Sequence, residues 1–198
     1  MWRWRTEAHH KCSLSTGTAL ITGASLGIGA VYADRLAERG YDLILVARDQ
    51  PRLSALASGL VDKTGRTVEV LPAELTSRDD LLRVEARLRT DASITALVNN
   101  AGVGATGKPV DTKVNDLEQM IALNVTALTR LTAAVIPALL ARGNGLLINI
   151  ASIVALAPEM LNVHLQRHEG LRRQPHAVAA HGSACKGDSR AGRAPRRH

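Results

Sequence analysis

The sequence predicts a doubly wound α/β domain on a parallel sheet, incomplete on its C-terminal side. Three observations carry that expectation. Short apolar runs alternate with helical patterns as far as about Leu161; a glycine-rich turn follows the first run and opens the first helix; and the alternation then stops after only five strands, too early for such a domain. With 198 residues, 45% of them hydrophobic and 22% charged, the chain can bury the core of one soluble globular domain. Collagen-like, mucin-like and fully disordered readings are excluded.

The strand candidates are Ala19 to Thr22, Leu43 to Ala47, Thr67 to Leu71, Thr95 to Val98 and Leu146 to Ile150. All are nearly continuously apolar, as strands buried on both faces of a parallel sheet must be. Ile28, Val31, Tyr32 and Leu36 repeat at helical spacing, and Gly40 stops that helix. Leu81, Leu82, Val84 and Leu88 form a second stripe. The stretch Leu117, Met120, Ile121, Leu123, Leu128, Leu131, Val135 and Leu139 forms a third, with Pro137 bending or ending it late.

The net charge of +7 is concentrated at one end. Val163 to His198 carries seven Arg and one Lys against Glu169 and Asp188, a net of +6, together with His164, His168, His176, His181 and His198. A nearly neutral domain therefore carries a basic tail. Aromatic residues make up only 2%, with no Phe, too few for a stacking platform for single-stranded nucleic acid. Cys12 and Cys185 have no CxxC partners, so neither a disulfide framework nor a metal site is expected. The N-terminal run lacks the apolar core of a signal peptide, and Leu146 to Pro158 is too short to span a bilayer. A cytoplasmic protein without a membrane partner is the expectation. Residues 1–12 read as an atypical extension, 13–162 as a partial domain and 163–198 as a basic tail without regular structure.

The chemistry lies in two motifs. Thr22-Gly23-Ala24-Ser25-Leu26-Gly27-Ile28-Gly29 follows the first strand: Gly23 permits a tight turn, Gly27 lets backbone approach a pyrophosphate, and Gly29 lets helix and strand pack closely, with the helix N-terminus facing the phosphate charge. Asn99-Asn100-Ala101-Gly102 ends the fourth strand, where the crevice of an open sheet receives a ligand. The TGxxxGIG spacing followed by NNAG resembles the classical short-chain dehydrogenases/reductases, from Thr18 to about Leu161.

That resemblance implies a Rossmann-like fold, and Gly23, Ser25, Gly27, Ile28, Gly29, Arg48, Glu74, Asn100, Ala101 and Gly102 as the cofactor-binding set. It further implies that Asn124 is the active-site Asn that holds a water in a proton relay, and that Ser152 hydrogen-bonds the substrate carbonyl. The second strand ends Val46-Ala47-Arg48-Asp49; a carboxylate at that tip suits the ribose of NAD, and Arg48 suits the 2′-phosphate, so NADP(H) is expected over NAD(H). Leu26 and Glu74 depart from the family pattern, which places a small polar residue and an adenine-contacting Asp there.

The family's YxxxK pair is missing. Its Tyr is the general acid, and its Lys lowers the Tyr pKa and binds the nicotinamide ribose. The Tyr slot holds Leu165 and the Lys slot Glu169, and no tyrosine follows Tyr41. Read one base forward, Leu165 to Gly170 can encode Tyr-Ser-Ala-Thr-Lys, and Lys186 to Arg196 can encode a sixth strand with its Pro-Gly turn. The reading is that Val163 to His198 is a frame-shifted translation; the rival is a genuine basic tail.

The resemblance thus implies the lineage of an NADP(H)-dependent oxidoreductase acting on a small carbonyl or alcohol, inactive in this chain for lack of its acid. The alternatives are an NADP-binding pseudoenzyme or sensor and, less favoured, a nucleic-acid binder acting through the tail. A family-type homo-oligomer is not expected, since the interface elements are missing.

Overall fold

The computed structural model describes residues 16–104, 113–152 and 178–182. Five parallel strands form most of one sheet: β1 (Thr18–Thr22), β2 (Asp42–Ala47), β3 (Val68–Pro72), β4 (Ile94–Asn99) and β5 (Leu146–Ala151). With β6 (Val178–Gly182) the order is β3-β2-β1-β4-β5-β6. The chain winds outward from β1 to β3, returns to β4 beside β1, and winds the other way, so the direction of winding reverses between β1 and β4. Every residue of β1 and β4 is buried, while β3, at an edge, is only half-buried and can end in Pro72.

Successive strand side chains point to opposite faces and feed two cores. On one face Ala19, Ile21, Leu43 and Leu45 pack against Leu36 of α1 (Gly27–Glu38) and Leu53, Ala57 and Leu60 of α2 (Gln50–Thr64). On the other, Leu20, Ile44 and Leu97 meet Leu81, Val84 and Leu88 of α3 (Arg78–Thr90), and Leu131, Ala134 and Val135 of α5 (Leu128–Arg142). Between α3 and α5, Glu85 is 1% exposed and accepts from Arg130 Nε and from Arg89 Nη2 at 2.9 Å. Burial pushes its carboxyl pKa up, but the two arginines outweigh this and hold it below the ordinary value.

Three expectations change. Helix α2 was not foreseen, although Asp49 caps it, Pro51 sits in its first turn and Gly65 closes it in the left-handed conformation at φ 66°. Pro137 does not end the long helix, because α5 continues to Arg142 and stops at Gly143, φ 71°; the irregularity comes earlier, where the π-helical segment Ala122–Ala127 joins α4 (Val114–Ile121) to α5. Finally, the tail is not without regular structure throughout. Val178–Gly182 pairs antiparallel with β5, from Val178 opposite Ala151 to Gly182 opposite Leu147. The open edge of β5 offers a row of backbone donors and acceptors, and pairing with it needs no side-chain periodicity.

The run Val114–Arg142 is long and apolar enough to cross a membrane by length and composition. One face of it packs on the sheet through Leu131 and Val135, while Ile121, Val125 and Leu140 on the helix are exposed.

Candidate functional site

At the C-terminal ends of β1 and β4 the glycine turn and the segment after β4 hold each other in place. Thr22 Oγ1 accepts from the backbone N–H of Asn100 and of Ala101, both at 3.0 Å, and donates to the Val98 carbonyl at 3.4 Å. Asn100 Nδ2 donates to the carbonyls of Thr22 (3.1 Å) and Gly23 (3.0 Å). The amide of Asn100 is therefore spent on fixing the turn. A Cβ at Gly29 would lie 2.5 Å from that same Nδ2 and against the Gly23 carbonyl, so only glycine lets α1 start this close to β1 and β4.

Gly27, at φ 55°, lies open: a Cβ there would meet nothing within 4 Å. Leu26, the residue before α1, supplies no side-chain cap, and the first turn of α1 contains no acid. Helix α2 differs, since Asp49 Oδ1 accepts from the Arg52 backbone N–H at 3.0 Å. The N-terminal amides and dipole of α1 are left to an anionic ligand.

These turns border a cleft of about 470 Å³. Its wall contains Gly23, Ser25, Ile28, Arg48, Glu74, Asn100, Ala101 and Gly102 of the expected cofactor set, while Gly27 and Gly29 stand off it. It also contains apolar Val46, Ala73, Leu75 and Leu123, Asp49 at the strand tip, and Arg52, which the sequence did not single out. Arg52 could have been found from the Asp49 and Pro51 start signals of α2, which put it in the first turn beside the strand tip.

The charged end of the cleft consists of two ion pairs. Arg48 Nη1 donates to Glu74 Oε2 at 3.2 Å, with the Arg48 side chain 73% exposed and that of Glu74 36%. Glu74 Oε1 accepts from the backbone N–H of Thr76 at 3.2 Å and its hydroxyl at 2.9 Å. Arg52 Nε lies 3.1 Å from Asp49 Oδ2. Asp49 thus caps α2 and pairs with Arg52.

Asn124 sits in the π-helical segment, where Oδ1 accepts from the Val103 N–H at 2.9 Å and Nδ2 donates to the Val103 carbonyl at 2.7 Å. Its side chain clasps both sides of the residue that continues the wall after Gly102. Asn124 and Ser152, which directly follows β5, are not part of the wall. Leu165 and Glu169, the slots of the absent acid and its lysine, lie outside the described residues.

An uncapped helix end beside open glycine backbone can take an anionic group, and two guanidiniums stand in the same wall. The family model described as short chain dehydrogenase matches residues 17–164. The chain belongs to that family. Among its relatives, the very-long-chain 3-oxoacyl-CoA reductase of Anas platyrhynchos is 32% identical over 148 residues, covering 72% of this chain and 47% of the reductase. Among solved structures, a short-chain dehydrogenase from Sphingobium yanoikuyae in complex with NADPH is 54% identical at TM-score 0.71, covering 73% of this chain and 57% of that one. The bulky-bulky ketone specific alcohol dehydrogenase of Comamonas testosteroni is 49% identical at TM-score 0.71, with coverage of 73% and 58%. This short-chain dehydrogenase thus spans about half the length of the curated reductase it matches. It is of an oxidoreductase lineage whose members act on small molecules with nicotinamide cofactors.

Proposed function

We propose that this short-chain dehydrogenase binds NADP(H) in preference to NAD(H) in the cleft between the glycine turn and the β2–α2 turn. The observation that carries this is the composition of the wall: Arg48 and Arg52 line it, and Asp49, the carboxylate that could serve an unphosphorylated ribose, is already bound to α2 and Arg52. The backbone from Gly23 to Ile28 would hold the pyrophosphate, Arg48 the 2′-phosphate, and small Ala101 and Gly102 would leave room for the ribose. Asn100 and Asn124 keep the walls in place through Thr22, Gly23 and Val103.

When bound, the cofactor supplies a hydride for exchange with a carbonyl or alcohol carbon. Ser152 would polarise that carbonyl oxygen by hydrogen bonding. With Leu165 in the tyrosine slot, the sequence lacks the family's acid for delivering the proton, and such an acid contributes about 10²–10⁴-fold. The reading is therefore cofactor binding without appreciable turnover, in a chain whose stretch from Val163 to His198 is a frame-shifted translation of the lineage's catalytic half. A small carbonyl or alcohol remains the substrate class, and the cytoplasm the compartment.

Calorimetric titration with NADPH and NADH, followed by an NADPH-oxidation assay with small ketones and aldehydes, tests this. Tighter binding of NADPH with no oxidation is expected. Equal affinities would remove the role of Arg48, and oxidation abolished by Ser152→Ala would remove the claim of inactivity.

A further inference from the structure

Glu74 occupies an unusual place for a residue beside a site that would receive a phosphate. Its carboxylate lies in the wall of the cleft and pairs with Arg48, the side chain read above as the partner of the 2′-phosphate. We propose that Glu74 is a specificity-determining residue that competes with the 2′-phosphate for Arg48 and so lowers the preference for phosphorylated adenosine ribose. The proposal rests on the reading of Arg48 as the phosphate-binding residue.

Two features decide the direction of the effect. Glu74 cannot swing away from Arg48 freely, because Oε1 is held by the backbone N–H and hydroxyl of Thr76, and its own backbone N–H donates to Asp80 Oδ2 at 2.7 Å. An incoming phosphate must then share the Arg48 guanidinium with a fixed negative charge. The opposite effect, ordering of Arg48 for its ligand, is weak here. The contact is a single hydrogen bond of 3.2 Å rather than a bidentate pair, and the Arg48 side chain stays 73% exposed. Repulsion and competition therefore outweigh ordering.

The test uses adenosine 2′,5′-bisphosphate and adenosine 5′-monophosphate as probes, titrated calorimetrically into the full chain and its variants. They differ only by the phosphate in question and need no nicotinamide half-site. In Glu74→Gln the ratio of the two affinities should rise by up to about fivefold, the upper limit for one exposed ion pair; the ratio cancels any adenine contact of Glu74, which both nucleotides share. Glu74→Ala should act in the same direction. On an Arg48→Ala background the Glu74→Gln effect should fall to less than half, and it should also shrink as salt is raised.

If the unmutated chain binds both nucleotides equally, the phosphate role of Arg48 fails and the proposal with it. If the chain prefers the bisphosphate but Glu74→Gln leaves the ratio unchanged or lowers it, the proposal alone is overturned. An effect undiminished without Arg48 overturns the competition for Arg48.

Discussion

Replacing glycine by alanine at two helical positions should move stability in opposite directions. In α2, a Cβ at Gly59 would meet nothing within 4 Å, so Gly59→Ala should stabilise by about 0.5–1 kcal/mol through helix propensity and a less free unfolded chain. In α1 the same gain of about 1 kcal/mol is available at Gly29, but there the methyl would sit 2.5 Å from Asn100 Nδ2 and against the Gly23 carbonyl. Relieving that overlap costs about 1–3 kcal/mol by overpacking, and loss of an Asn100 hydrogen bond costs about 1 kcal/mol more. The net expectation for Gly29→Ala is a destabilisation of about 2 kcal/mol, which puts the two variants about 3 kcal/mol apart. Urea unfolding measures both, with the change read from the midpoint at constant slope. Dinucleotide affinity should also fall at least tenfold in Gly29→Ala and stay unchanged in Gly59→Ala. If both variants shift the midpoint in the same direction and bind alike, the close approach of the glycine turn to Asn100 is not what fixes the site.

Arg48→Ala should cost NADPH about 1.5 kcal/mol of binding, roughly tenfold, and leave NADH unaffected, as measured by calorimetry. Glu85→Gln should destabilise the fold by about 1–2 kcal/mol at neutral pH, below the full penalty for breaking a buried pair because Arg89 and Arg130 are part-exposed and can be resolvated. The folded-state pKa of Glu85 is lowered, so its contribution is fully present above the ordinary glutamate value of about 4.3 and is lost as pH falls through the lower folded value. Acid unfolding followed by circular dichroism should accordingly be shallower in Glu85→Gln.

The strands were legible because strands buried on both faces need continuous apolar runs. All five parallel strands lie within one residue at each end of the runs read from the sequence, as Asp42–Ala47 shows against Leu43 to Ala47. Helix α2 escaped because its buried stripe is only Leu53, Ala57 and Leu60, interrupted by Ser54, Ser58 and Gly59. Strand β6 escaped because backbone pairing leaves no side-chain period to detect; it runs against the other five and so does not continue their strand-helix alternation. The glycine turn and Asn100 could be read from spacing, since each meets a local backbone demand. The clasp of Asn124 on Val103 could not, because it joins a helix to a segment 21 residues away, and neither could the pairing of Arg48 with Glu74, 26 residues apart.

The central claim is that the cleft built by the glycine turn, the β2–α2 turn and the segment after β4 receives NADP(H). Hydrogen–deuterium exchange with and without saturating NADPH tests it most directly, because amides report the binding surface without any requirement for turnover. Slowed exchange confined to Gly23–Gly29, Arg48–Arg52 and Asn100–Val103 is the expected result. Unchanged exchange in these three segments, or protection by NADPH elsewhere in the chain, would contradict it.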